Sequence, residues 1–231
     1  MSADIEVVFF DVVETLFSLD AVHRRLDDCG VGGGALELWF ARFLRDAFAL
    51  AASGTYRAFR EVAASSLAGV LRSRHVDPQP EVVERILAAL AELDPYPDAR
   101  PALERLRTHG VRVMTLTNGS TAATQGLLKR ADLDSFVERC LSVEETQAWK
   151  PRVEPYAAAC READVAPERA ALVAVHSWDV HGAAAAGLRG GWCSRLESDF
   201  PPAFIAPTVR GATLVEVVDQ LFQRTPETRS P

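Results

Sequence analysis

Four apolar residues, Val7-Val8-Phe9-Phe10, run between Glu6 and Asp11. A short unbroken apolar run closed by a carboxylate predicts a strand buried on both faces. Similar runs predict strands at 111–116, 136–141, 170–175 and 191–193. Helical spacing separates them, at 98–109 with a stop at Gly110, at 122–129, at 153–163, in a short alanine-rich piece from Gly182 to Gly187, and at 214–222. Strands alternating with helices predict an α/β fold with a parallel sheet and right-handed crossovers.

No strand pattern occurs between Thr15 and Arg112. A short helix over 20–26 is broken by Gly30-Val31-Gly32-Gly33-Gly34, which reads as a flexible connector. Leu38, Trp39, Phe43, Leu44, Phe48 and Leu50 then recur at helical spacing and predict a core-facing side. Ser53-Gly54-Thr55 breaks this run, and further helices are predicted from Tyr56 to Ser73 and from Pro80 to Leu93. Pro95-Tyr96-Pro97 marks the return. The expected organisation is a core of residues 1–20 and 95–223, a helical insertion over 21–94, and a disordered tail over 224–231.

Composition narrows the function classes. The 231 residues carry a net charge of −7, which argues against nucleic acid as a partner. Cys29, Cys140, Cys160 and Cys193 form no CxxC pair, so zinc and dithiol chemistry are not indicated. The N-terminal apolar run is too short for a signal peptide, and no stretch approaches the ~20 apolar residues of a membrane span. A cytoplasmic protein that meets no membrane is expected.

The carboxyl ends of strands in an open α/β sheet form the ligand crevice. Asp11 follows the first predicted strand, Thr117-Asn118 the second, and His176-Ser177-Trp178-Asp179 the fourth, while Lys150 opens a helix between them. A desolvated carboxylate is a competent nucleophile. A neighbouring lysine keeps it ionised and stabilises developing negative charge. A hydroxyl and an amide can hold an anionic group, and a second carboxylate can orient or deprotonate water.

Taken in order, Asp11-Val12-Val13-Glu14-Thr15, Thr117-Asn118-Gly119-Ser120, Lys150-Pro151 and His176-Ser177-Trp178-Asp179 resemble the four motifs of the haloacid dehalogenase superfamily. Thr117 to Ser120, Tyr156 soon after Lys150-Pro151, and the Trp178-Asp179 pair are most similar to its type II 2-haloacid dehalogenases. The resemblance implies a Rossmann-like core with a helical cap inserted after the first strand. It implies Asp11 as nucleophile, Lys150, Asp179 and His176 as catalytic partners, and a substrate lined by Thr117, Asn118, Val13, Thr15, Phe40, Leu44, Phe59 and Trp178. The chain also departs from the pattern. Val13 stands where superfamily phosphatases have an acid and the dehalogenases a tyrosine. Phe40 follows Trp39 where a halide-cradling arginine is usual, with Arg42 and Arg45 elsewhere on that helix. Glu14 replaces a glycine, His176 an asparagine and Ala174 a serine. The resulting expectation is a cofactor-free hydrolase acting on a small 2-haloacid through an aspartyl ester. The alternatives are a Mg²⁺-dependent phosphatase with Asp11 and Asp179 as ligands, and a catalytically silent binding protein. A homodimer is implied by the resemblance alone.

Overall fold

The computed structural model describes residues 4–223; the expected 224–231 tail lies outside them. The central strand, β1 (Val7–Phe10), is fully buried. It pairs in parallel with β2 (Arg112–Thr117) on one side and β4 (Ala170–Ala174) on the other, with Phe10 opposite Thr115 and Val173. β3 (Arg139–Ser142), β5 (Arg189–Cys193) and β6 (Val209–Gly211) complete a six-stranded parallel sheet in the order β3-β2-β1-β4-β5-β6. The order reverses direction at β1, so the carboxyl ends of β1, β2 and β4 meet at one edge, the crevice of a doubly wound sheet.

Side-chain alternation along β1 divides the core. Val8 and Phe10 face one apolar cluster with Leu103 and Leu106 of α5 (Ala99–Thr108), Leu127 of α6 (Thr121–Arg130) and Val217 of α9 (Leu214–Phe222). Val7 and Phe9 face the other, with Tyr156 and Ala159 of α7 (Val153–Ala163) and Val180 of α8 (Ser177–Ala185). Helices therefore cover both faces, and the core is Rossmann-like.

Between β1 and α5 the chain forms α1 (Asp20–Asp28), α2 (Ala35–Ala52), α3 (Phe59–Ser73) and α4 (Pro80–Ala88). The outgoing and returning segments run side by side: Tyr96 N–H donates to Leu16 O and Ser18 N–H to Asp94 O, each at 2.9 Å. Of the residues read as core-facing on α2, Trp39 and Phe43 are fully buried, while Leu38, Leu44, Phe48 and Leu50 are half-buried. None of the helices among the described residues is long and apolar enough to cross a membrane.

Several boundaries differ from the expectation. α3 begins at Phe59 rather than Tyr56, where Glu61 accepts the Ala58 N–H and fixes the first turn. α4 ends at Ala88 and continues as a 3₁₀ turn over Ala89–Ala91. A 3₁₀ turn over Asp134–Phe136 delays β3 to Arg139. The predicted helix from Gly182 to Gly187 is instead α8, starting at Ser177. Gly182 lies inside it because α7 and the turn before it pack too closely for a side chain: a Cβ there would sit 2.6 Å from Pro151 Cβ and 2.6 Å from the Tyr156 hydroxyl. β6 was not expected, since Val209-Arg210-Gly211 is too short to show a period.

Candidate active site

Asp11 stands just past β1, with 5% of its surface exposed. Its Oδ1 accepts from Lys150 Nζ at 2.9 Å and its Oδ2 from Thr15 Oγ1 at 2.8 Å. Thr15 Oγ1 in turn accepts the Val175 N–H at 3.1 Å, which ties the turn after β1 to the end of β4. Lys150 is fully buried. Its ammonium also donates to Asp179 Oδ2 at 2.6 Å and to the Leu116 carbonyl at 2.8 Å, so all three protons have partners. Asp179 is in the first turn of α8, where a carboxylate suits the helix dipole. Its Oδ1 accepts from the Tyr156 hydroxyl at 2.6 Å.

These contacts separate the two carboxylates. Burial alone would raise the Asp11 pKa, but the charges of Lys150 and then His176 outweigh it and hold Asp11 below its ordinary value. Burial raises Asp179, the Lys150 charge only partly opposes it, and Asp11 adds to the rise. Burial works against the Lys150 charge as well, yet Asp11 and Asp179 lift its pKa above the ordinary value. A pair pushed apart in this way leaves Asp11 as the more acidic member. The Tyr156 hydroxyl is raised well above its ordinary value, by burial and then by Asp179.

His176 caps α8 and faces the same carboxylate: its Nε2 lies 3.8 Å from Asp11 Oδ2 and donates to the Val13 carbonyl at 3.2 Å. Its ring stacks on Trp178 at 5.2 Å and 17° and lies against Phe40 at 5.6 Å and 32°. Phe48 meets the other part of Trp178 edge-on at 5.2 Å. Position 40 is therefore an aromatic wall for His176. Arg45, further along α2, is exposed and pairs with Asp46. On a second flank Phe59 packs on Phe43 at 4.7 Å and on Trp149 at 6.4 Å.

The arrangement is that of a buried carboxylate held by a lysine at the switch point of a doubly wound sheet. A profile of haloacid dehalogenase-like hydrolases matches residues 5–187. The chain belongs to that family. Among its relatives, (S)-2-haloacid dehalogenase 4A of Burkholderia cepacia is 32% identical over 181 residues, covering 78% of both chains. (S)-2-haloacid dehalogenase 1 of Pseudomonas sp. (strain CBS-3) is 29% identical over 225 residues, covering 96% of this chain and 98% of that one. A crystal structure of a dehalogenase superposes with a TM-score of 0.87 at 28% identity, covering 97% of this chain and all of the other.

Seen as a member of the haloacid dehalogenase-like hydrolases, the chain brings Asp11, Lys150, Asp179 and His176 together as expected, but two roles change. Asp179 has no exposed surface, and both oxygens already accept strong hydrogen bonds, so it holds Lys150 and is not placed to deprotonate water. The same engagement makes Asp11 and Asp179 a poor fit to a bridging Mg²⁺, because the Lys150 ammonium lies between them. Thr15 has no exposed surface and orients Asp11 instead of lining the substrate. Thr117 Oγ1 accepts the Gly119 N–H at 3.0 Å, and Asn118 Oδ1 accepts the Lys150 N–H at 3.0 Å. The Thr117 O–H and the Asn118 amide N–H₂ remain as donors. Val13, Phe40, Leu44 and Phe59 are half-buried.

Two contributors escaped the sequence reading of the site. Tyr156 was legible only as a spacing after Lys150-Pro151, not as the residue that fixes Asp179. Arg195, after β5, gave no signal at all. Its guanidinium donates to the Glu14 and Thr15 carbonyls at 3.3 and 3.0 Å, pairs with both oxygens of Asp98 at 2.6 and 2.7 Å, and lies 3.8 Å over the Tyr96 ring. It clamps both segments that lead into and out of the helical insertion.

Proposed function

We propose that this hydrolase displaces halide from C2 of a small 2-haloacid. An Asp11 carboxylate oxygen attacks C2, the carbon–halogen bond breaks, and halide leaves with the bonding pair. Water then attacks Cγ of the resulting ester, restoring the Asp11 carboxylate and releasing the 2-hydroxy acid and a proton. The Thr117 hydroxyl and the Asn118 amide hold the substrate carboxylate. His176, whose Nε2 lies 3.8 Å from Asp11 Oδ2, positions that water. Lys150 keeps Asp11 ionised, and Asp179 with Tyr156 keeps Lys150 in place. The helical insertion, which we bound at residues 21 and 94, supplies Phe40, Leu44 and Phe59 as the apolar cover.

The observation that carries this reading is the Lys150 ammonium at 2.9 Å from an Asp11 carboxylate whose pKa burial would otherwise raise. The leaving group follows from Val13. An alkoxide needs a proton on departure, and valine cannot give one; a halide needs none. The (S)-2-haloacid dehalogenases among the relatives support the same substrate class. Halide release from (S)-2-chloropropanoate tests it. The wild-type protein should release chloride at a rate that EDTA does not change, and Asp11→Asn should release none. Undiminished release by Asp11→Asn would overturn the proposal, as would metal-dependent phosphate release from phosphomonoesters.

A further inference from the structure

A cleft of about 490 Å³ adjoins the reaction centre at the seam between the helical insertion and the sheet. Val13 and Thr117 line it, and both also belong to the site around Asp11. Phe59, Leu87 and Leu90 form the insertion wall, and Leu127 of α6 faces them from the core. Space of this size holds far more than a two-carbon acid, since cavities of roughly 300–1,000 Å³ take drug-sized ligands. Its surface is largely apolar carbon, and water gains little there. The charged residues lining it are Arg60, already paired with Glu84, and Glu144. The Glu144 carboxylate disfavours a second carboxylate on the ligand, and the apolar walls disfavour a charge of either sign, so the occupant is uncharged.

We propose that this cleft binds the C2 side chain of the substrate, and that this side chain is an apolar alkyl or aryl group of several carbons. The inference rests on the displacement reading above for its chemistry and on the cleft for its specificity. Each methylene moved from water into the cleft should raise kcat/KM by about fourfold until the space is filled.

Two measurements separate the cleft from the chemistry. The first is halide release along a series of 2-chloro acids, from the two-carbon to the eight-carbon member, with 2-chloro-3-phenylpropanoate as the aryl case. The second is calorimetric binding of the unhalogenated acids, acetate to octanoate, which needs no reaction. Both should improve with chain length. Ala88 and Ala123 line opposite walls and are exposed, so bulk is tolerated there. Ala88→Phe and Ala123→Phe should each lose at least tenfold on the long acids and leave the two-carbon acid unchanged. Graded binding without halide release from any acid would uphold the cleft and sink the displacement reading. Halide release with no dependence on chain length, or long-chain preference intact in both variants, would overturn the cleft proposal alone.

Discussion

Lys150 carries its charge with no exposed surface because two carboxylates and a carbonyl share it. Removing a partner from such a group leaves an uncompensated buried charge, at a cost of about 3–5 kcal/mol. Lys150→Met should therefore lower the thermal midpoint markedly. It should also let burial raise Asp11, moving the acid limb of the kcat/KM profile upward; a limb that stays in place would show that Lys150 does not set the nucleophile's ionisation. His176→Ala carries a different expectation. Attack at C2 needs only Asp11, so one halide per site should be released in a burst while the ester persists, detectable as an added mass on the Asp11 peptide. A uniform slowing with no burst and no adduct would remove His176 from the hydrolytic step. At this scale the approach of Asp11 and Lys150 could be read from a carboxylate at a strand end and a lysine just before a helix. The roles of Thr15 and Asp179 could not, because each depends on partners, Val175 and Tyr156, that lie far away in sequence.

The elements bring these groups together through close approaches that need missing side chains. Gly182 lets α8 sit against Pro151 and Tyr156, which places Asp179 beside Lys150. Gly182→Ala should cost about 1–3 kcal/mol by overpacking and should reduce kcat by displacing the Tyr156 hydroxyl; a fully active, equally stable variant would show the contact to be slack. Arg195 acts from the end of β5 on the turn after β1, where Glu14 holds a positive φ of 66°. Arg195→Ala should lower kcat with little change in KM, and Arg195→Lys should restore only part, since an ammonium has three protons on one atom while the Arg195 fork makes four hydrogen bonds, to two carbonyls and to both oxygens of Asp98. Equal recovery by lysine would reduce the clamp to simple charge. Long apolar runs made β1, β2 and β4 legible. The start of α8 was hidden because an interior glycine looked like a boundary, and β6 because three residues show no period.

Across the whole molecule, the buried triad links stability to pH with a defined sign. The Asp11 pKa is depressed on folding, so its contribution is present above the ordinary 3.8 and is lost as pH falls through the lower folded value. The Lys150 pKa is raised, so its contribution is present below the ordinary 10.5 and is lost as pH rises through the higher folded value. Asp179, raised by burial, works in the opposite direction to Asp11 at the acid end. Comparing the acid-side fall in thermal midpoint between wild type and Asp11→Asn isolates the Asp11 part, and the fall should be shallower in the variant. The alternation of strands and helices made the sheet readable, and the long strand-free stretch made the insertion readable. The cleft between them was not readable, because its walls come from segments that meet only in the folded chain.

The covalent role of Asp11 is tested most directly by one turnover in H₂¹⁸O with enzyme in excess over (S)-2-chloropropanoate, followed by mass spectrometry of the Asp11 peptide and of the product. The aspartyl-ester route puts ¹⁸O into the Asp11 carboxylate and leaves the new hydroxyl of the product unlabelled. Label in the product hydroxyl with an unlabelled Asp11 would mean that water attacks C2 itself, and would contradict it.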